Sequence, residues 1–443
     1  MKNKLYKAEK YLFLLLLFSI PFQKRVFLWS AGIVDGFNEW QSIFLYGTDI
    51  LVFILFGLWA FGWLDQKQSI KWNIYTAPVA LALLLLIVSA VSIFNAAYVG
   101  IAVYRFIKIA EFIGLFFYTI YIVKKLKFEH VALAFVAGGI FQSIIAISQF
   151  FMQRSVGLGI LGESPLSAGR SDVAEFIAYG SRFMRAYGTF PSPNVLAAFL
   201  SISLLSLISW YIFKKNPGRR EKALALAGVI LIAFALLLTF SRAAIASVAL
   251  VFAFYLVVFM QKNMGPHRKK LFSILTPLFF IVLIMAVIFW PEIYSRIFTA
   301  FASGDTALSE RAFYSNIARD AIKENPAGLG IGNYTLYMRS KFWGLQETLY
   351  QPVHNLYLLV SSELGIAGGI VFISFLGYTL LASAVKLFKK PTLPALLIVS
   401  IFVFVLVSGF FDHFYWTLQQ GSLMLWIVAG MVIASNRQNK SWA

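Results

Sequence analysis

KALALAGVILIAFALLLTFSRAAIASVALVFAFYLVVFM, residues 222–260, holds two apolar runs joined by almost no loop. Each run has the length of roughly 18 or more residues that a helix needs to cross a bilayer's hydrocarbon core. Only Lys222 and Arg242 carry charge in this stretch. The pattern recurs along the whole chain. Of 443 residues, 60% are hydrophobic and 13% charged, more apolar surface than a soluble fold can hide. The sequence therefore reads as an all-α polytopic membrane protein, a single integral membrane domain over 1–443.

About twelve transmembrane helices are expected, near 11–30, 43–63, 77–97, 101–123, 131–152, 193–213, 222–240, 242–260, 271–290, 354–385, 394–411 and 417–434. Lys2, Lys4, Lys7 and Lys10 precede the first apolar stretch, as in a signal peptide. No small-x-small cleavage site follows, so a retained first span is expected. Cys is absent, which excludes disulfides, thiol catalysis and thiolate metal sites.

The net charge of +19 does not imply nucleic acid, because the positive charges alternate from loop to loop. The basic connections include Lys67/Lys71, Lys124–Lys127, Lys214–Arg220, His267–Lys270, Lys386–Lys390 and Arg437/Lys440. The positive-inside rule makes these cytoplasmic and puts both termini inside. Lys and Arg then segregate. The inner loops hold 19 Lys and 4 Arg, and the outer loops hold 3 Lys and 10 Arg. Lys suffices for attraction to a membrane surface, whereas Arg grips phosphate or carboxylate with two parallel hydrogen bonds. The alternative is that outer Arg residues merely pair with outer acids.

Two outer connections are long. Residues 153–192 are Gly/Ser-rich, with a short helix expected near 171–184. Residues 291–353 form the large loop between spans nine and ten. There a helix is expected from Ser309 as N-cap through Lys323, stopped by Asn325-Pro326. Gly328-Leu329-Gly330-Ile331-Gly332-Asn333 reads as a tight, flexible turn. The piece near 335–343 is amphipathic and suits a membrane surface.

Only four His occur, His130, His267, His354 and His413, and the last two fall on the outer side. His354 lies in Gln351-Pro352-Val353-His354-Asn355, where the long loop turns back into an apolar helix. A helix start disfavours imidazolium and favours a nearby anion. A neutral His beside an anion suits general-base catalysis on a phosphate-bearing substrate. A capping or interfacial His is the alternative.

Arg242, in a tight turn between spans, is costly without a partner, although snorkelling would also explain it. Arg311 opposes the dipole in the first turn of the loop helix, which suits anion binding or an ion pair with Glu310 or Asp305. Arg182 and Arg185 precede a turn-rich stretch ending at Asn194 that can cradle phosphate or sugar. Arg105, Lys108 and Glu111 share one face of span four, as a functional site or an internal ion pair. Asp412-His413 ends span eleven and can orient a partner or bind substrate. Two outer His without H-E-x-x-H or D-x-D do not suggest a metal ligand set, and no Walker A motif is present.

Five motifs in order resemble the O-antigen ligase / O-antigen polymerase superfamily. They are Arg-Ala-Tyr-Gly-Thr-Phe-Pro-Ser-Pro-Asn-Val-Leu-Ala (185–197), Thr-Phe-Ser-Arg-Ala (239–243), Ser-Glu-Arg (309–311), Asn-Pro-Ala-Gly-Leu-Gly-Ile-Gly-Asn-Tyr (325–334) and His-Asn-Leu-Tyr-Leu…Glu-Leu-Gly (354–365). The resemblance covers roughly 185–380. It implies a GT-C-type glycosyltransferase of the bacterial inner membrane, working at the periplasmic face. The implied donor is a glycan on undecaprenyl diphosphate. The implied acceptor is a sugar hydroxyl, on lipid A core for a ligase or on another lipid-linked glycan for a polymerase. Arg242 and Arg311 would bind the diphosphate, and His354 would position or deprotonate the acceptor. Arg182, Arg185, Asn194, Arg105, Lys108, Asn355 and His413 are the further candidates for diphosphate or glycan contact. The implied reaction is inverting and needs no metal or other cofactor. A flippase for a lipid-linked anion is the competing class. Inverted repeats and broken midplane helices would favour it, and neither is evident in the sequence. A structural scaffold would leave the Arg segregation without a reason.

Overall fold

A computed structural model describes residues 2–31, 38–66, 77–170, 172–178, 181–260, 265–291, 306–389 and 393–435. Lys67, Lys71, Arg437, Lys440 and the opening of the large loop at 292–305 lie outside the described residues.

The chain begins with helix α1 (Lys2–Ser19), a hairpin of β1 (Arg25–Ser30) and β2 (Ser42–Tyr46), and α2 (Gly47–Gln66). Next come α3 (Ala77–Val91), α4 (Val99–Val123) and α5 (Phe128–Met152). A second hairpin, β3 (Glu175–Ala178) and β4 (Ser181–Met184), precedes α6 (Pro193–Phe213), α7 (Arg219–Leu238), α8 (Arg242–Phe259) and α9 (Gly265–Ile288). The large loop carries α10 (Thr306–Glu324) and α11 (Tyr334–Lys341). The chain closes with α12 (Leu356–Lys389), α13 (Leu393–Ser408), the single turn α14 (Phe414–Thr417) and α15 (Gln419–Ser435). Eight of the described helices are long and apolar enough to cross a membrane. Three shorter apolar helices, Gly47–Gly62, Ile398–Ser408 and Gln419–Ser435, join them. The fold is that of a multi-pass membrane protein.

Helices α6 and α15 are buried along almost their whole lengths. A helix surrounded by others needs no polar face, and both sequences lack one. Helix α15 packs on α4, and α6 sits against α5 and α7. Helix α9 instead exposes Phe279, Phe280, Ile284 and Val287, the surface expected against lipid. The basic connections gather at one end. There the Tyr6 hydroxyl donates to the Lys125 carbonyl at 2.6 Å, and Lys214 reaches Glu129 at 3.0 Å. Lys270 Nζ donates to the Lys214 carbonyl at 2.7 Å. Both hairpins, α10, α11 and His354 belong to the other end.

Four expectations need correction. The first helix runs over 2–19 rather than 11–30, and residues 25–30 pair antiparallel with 42–46 as a hairpin. Long Lys stems tolerate a helix at the membrane edge, so the basic start joins the helix instead of flanking it. Residues 171–184 hold no helix among the described residues. Glu175–Ala178 and Ser181–Met184 pair as a hairpin. Helix α10 begins at Thr306, so Ser309 lies inside it and does not cap it. Helix α11 buries Tyr334, Thr335, Leu336 and Met338, so it packs into protein more than onto a membrane surface.

The Gly-rich turn after α10 is docked, not loose. Helix α12 breaks at Gly365 (φ 76°, ψ 178°), a broken helix that the sequence did not reveal. Residues 326–330 fill the break. The Leu329 and Gly330 N–H groups donate to the Ser362 and Glu363 carbonyls at 3.0 Å each. The Ile366 N–H donates to the Pro326 carbonyl at 3.0 Å. A break at membrane depth survives only when protein satisfies the freed groups. Gly328 also has positive φ, and a Cβ there would sit 2.4 Å from the Gly365 nitrogen. Gly365→Ala is therefore expected to cost about 1–3 kcal/mol through strain and clash. A fall in thermal unfolding temperature in detergent checks it, and an unchanged temperature would contradict the docked turn.

Candidate functional site

The His354 loop is fixed before it reaches the helix. Asn355 Oδ1 accepts from the Tyr357 and Leu358 N–H groups at 3.0 Å each, which caps α12. Its Nδ2 donates to the Phe410 carbonyl at 3.2 Å, and the Leu356 N–H donates to the Gly409 carbonyl at 2.8 Å. The start of α12 is thus strapped to the 409–412 turn that follows α13. Asn355, a candidate for substrate contact, spends its side chain on this strap.

That strap brings His354 to Asp412. His354 Nδ1 lies 3.6 Å from Asp412 Oδ1, within ion-pair range and slightly beyond a hydrogen bond. Asp412 Oδ1 accepts from the His413 N–H at 2.8 Å, and Oδ2 accepts from Asn194 Nδ2 at 3.0 Å. Asn194 Oδ1 in turn accepts from Arg185 at 3.0 Å. Arg185 Nε donates to the Thr239 carbonyl at 2.6 Å. A continuous chain of polar contacts therefore runs from His354 through Asp412, Asn194 and Arg185 to the turn that carries Arg242. That turn holds Phe240 in the left-handed region (φ 49°), packed 4.2 Å from the Phe176 ring. Left-handed backbone at a non-Gly residue persists only where its surroundings impose it.

Burial alone would push the Asp412 carboxyl up. The His354 and His413 imidazoles and the His413 N–H outweigh it and hold this carboxyl below the usual carboxylate range. Burial pushes the His413 imidazole down to about 3, against the opposing pull of Asp412. His413 is therefore neutral at physiological pH. Its Nδ1 is 2.7 Å from Thr417 Oγ1, and its ring meets Trp40 edge-on at 5.1 Å. The two His rings lie 5.2 Å apart. Accessibility separates their roles. The His354 side chain is 24% exposed and that of His413 is 5% exposed, so His354 is the more accessible imidazole.

Helix α10 forms another wall. Tyr314 packs edge-on to His354 with ring centroids 6.3 Å apart, and its hydroxyl donates to the Leu349 carbonyl at 2.8 Å. Arg311 is one helical turn before Tyr314 on the same face and is half-buried. Arg242 opens α8 and is exposed. Arg182 is exposed on β4 and faces Glu175 at 3.9 Å, outside the chain of contacts from His354 to Arg185. Lys108 is buried between Asp49 (2.7 Å) and Glu111 (2.6 Å), so the expected internal pair gains a second carboxylate. Arg105 donates to the Thr417 carbonyl at 2.8 Å.

Asp412 is the residue whose importance the sequence understated. It stood beside His413 as a possible orienter, but nothing in the sequence links it to His354. Trp40, which frames the same end, carried no sequence signal beyond residue type, and Glu363 entered only as part of the 354–365 motif. His354, Asp412 and His413 also offer one ligand atom each within 4.8 Å of one another. The fold thus assembles the pair of His that sequence spacing kept apart, with a spacing that suits a cation. Both Asp412 oxygens already accept hydrogen bonds, however.

The bundle defines a multi-pass membrane protein whose half-exposed His–Asp pair lies at the end opposite its Lys-rich loops. Residues 227–373 match the family model described as O-antigen ligase, so this part of the chain is similar to that family. The match includes Arg242, Arg311 and His354 and ends before Asp412. No curated protein matches the chain.

Asp412→Asn tests the electrostatics. A depressed carboxyl contributes stability that is fully present above its ordinary value of 3.8 and is lost as pH falls through the depressed value. The variant should melt below wild type at neutral pH, and the gap should close under strongly acid conditions. A gap independent of pH would contradict an ionised Asp412.

Proposed function

We propose that the protein transfers a glycan from an undecaprenyl-diphosphate donor to a sugar hydroxyl of lipid A core, as an O-antigen ligase at the periplasmic face of the inner membrane. The half-exposed His354 beside buried Asp412 carries this proposal. With Nδ1 turned to Asp412, the His354 Nε2 lone pair is free to take a proton. The acceptor oxygen attacks the anomeric carbon as His354 removes its hydrogen. The new bond to that carbon forms on the face opposite the departing diphosphate, so configuration inverts. The bond to the phosphate oxygen breaks, and undecaprenyl diphosphate keeps the electron pair.

Arg242 and Arg311 are assigned to the diphosphate. Guanidinium groups bind it through paired hydrogen bonds and offset the charge that grows on the leaving oxygen. The contacts from Arg185 to Asp412 couple the Arg242 turn to the base, which supports a donor and a proton acceptor held in one frame. The donor is already activated by its diphosphate, so the reaction requires no nucleotide and no metal.

Purified protein, a lipid-linked glycan donor and a lipid A core acceptor test this. Wild type should transfer the glycan to the core. Lengthening of the lipid-linked glycan instead would indicate a polymerase of the same superfamily. His354→Ala should lower turnover about 10²–10⁴-fold and leave donor affinity near wild type. Unimpaired transfer by His354→Ala would overturn the role of the base. Arg242→Ala and Arg311→Ala should each weaken donor binding about tenfold or more. Activity should persist after EDTA treatment. Loss restored by a divalent cation would instead make His354, Asp412 and His413 a metal site.

A further inference from the structure

At the Lys-rich end, opposite the His354 site, three helices leave an open pocket of about 370 Å³. Lys222 at the start of α7, Lys269 and Lys270 at the start of α9, and Asn216 in the connection after α6 line it. The proposed transfer chemistry gives this pocket no role.

Its charge is not compensated from within the protein. Glu129 and Glu221 approach this corner, but both pair with Lys214, at 3.0 Å and 3.3 Å. Glu221 also accepts from the Gly218 N–H at 3.0 Å. Among the described residues, Lys222, Lys269 and Lys270 have no carboxylate within ion-pair range. Lys270 Nζ is held in place by the Ile212 and Lys214 carbonyls, at 3.4 Å and 2.7 Å. These use two of its three N–H groups and leave its charge unmatched. Three ammonium groups around one opening repel one another, so an anion placed between them is favoured.

The outer surface of α9 selects a lipid over a free anion. Ser273 lines the pocket and follows Lys269 by four residues, on the same helix face. Thr276, Phe280, Ile284 and Val287 continue that face at steps of three or four residues, and all are exposed. The stripe passes from ammonium to hydroxyl to hydrocarbon along the helix. A phospholipid presents phosphate, ester linkage and acyl chain in the same order. A soluble phosphate would use only the ammonium groups.

We infer that this pocket binds the headgroup of an anionic phospholipid, with an acyl chain lying along the exposed face of α9. The bound phosphate then bridges the starts of α7 and α9. Such a site operates whatever reaction His354 serves.

Native mass spectrometry of the full chain in neutral detergent, with added phosphatidylglycerol or phosphatidylcholine, tests it. Phosphatidylglycerol should bind about tenfold or more tightly than phosphatidylcholine. Lys222→Gln combined with Lys269→Gln removes two charges from the pocket, and both positions are exposed, so the fold should be kept. That double variant should lose about tenfold in phosphatidylglycerol affinity. Lys7→Gln combined with Lys127→Gln removes two exposed charges outside the pocket and should stay near wild type. Unchanged affinity in the pocket variant would overturn the site. Equal losses in both variants would also overturn it, by reducing the effect to diffuse surface charge. Displacement of the lipid by inorganic phosphate at equal concentration would assign the pocket to a free anion and overturn the lipid.

Discussion

A carboxylate that stays ionised inside protein, Asp412, is the constraint on which the reactive end depends. A buried charge costs several kcal/mol unless its hydrogen bonds and counter-charges are supplied. Here two come from distant parts of the chain and one from the next residue. Asn194 approaches from the start of α6, the His413 N–H from the adjoining turn, and His354 from the loop before α12. Each partner has its own anchor. Arg185 holds Asn194, Thr417 and Trp40 hold His413, and Asn355 straps the His354 loop to the 409–412 turn. The site is therefore a consequence of tertiary closure, and no single segment contains it.

Much of the surrounding architecture serves that closure. The first hairpin brings Trp40 onto His413, and Asn38 donates to the Tyr350 carbonyl at 3.1 Å, tying the hairpin to the loop that leads into His354. The Gly-rich turn plugs the break in α12 and thereby sets where Glu363 points. Asn333 accepts from the Tyr98 N–H at 2.9 Å, which joins the same turn to the start of α4. Several motifs that resemble a glycosyltransferase family are thus packing devices that hold the loops around His354 in place.

The helices were legible where length and apolarity coincide. Residues 193–213 form a helix over that very range because a fully buried span needs no other signal. The two hairpins were not legible. Their strands are four to six residues long, too short for alternation to separate them from turns. The break at Gly365 was hidden because a glycine in the helix-length stretch 354–385 carries no sign of the turn that fills it. At the site, His354 was visible as the rare titratable residue at a helix start, and the Arg candidates through their segregation from Lys. The pairing of His354 with Asp412 was not visible, because it joins loops from opposite sides of α12 and α13. Arg182 and Asn355 show the limit of residue type alone. One faces Glu175 across a hairpin, and the other caps a helix.

The account makes one geometric claim above all: the diphosphate of a lipid-linked donor sits in the same frame as the His354–Asp412 pair. The most direct measurement is an experimental structure of the protein bound to undecaprenyl diphosphate. The account predicts phosphate oxygens contacted by Arg242 and Arg311, with His354 facing the side from which an acceptor approaches. Guanidinium groups turned to lipid, or a diphosphate bound away from His354, would contradict it.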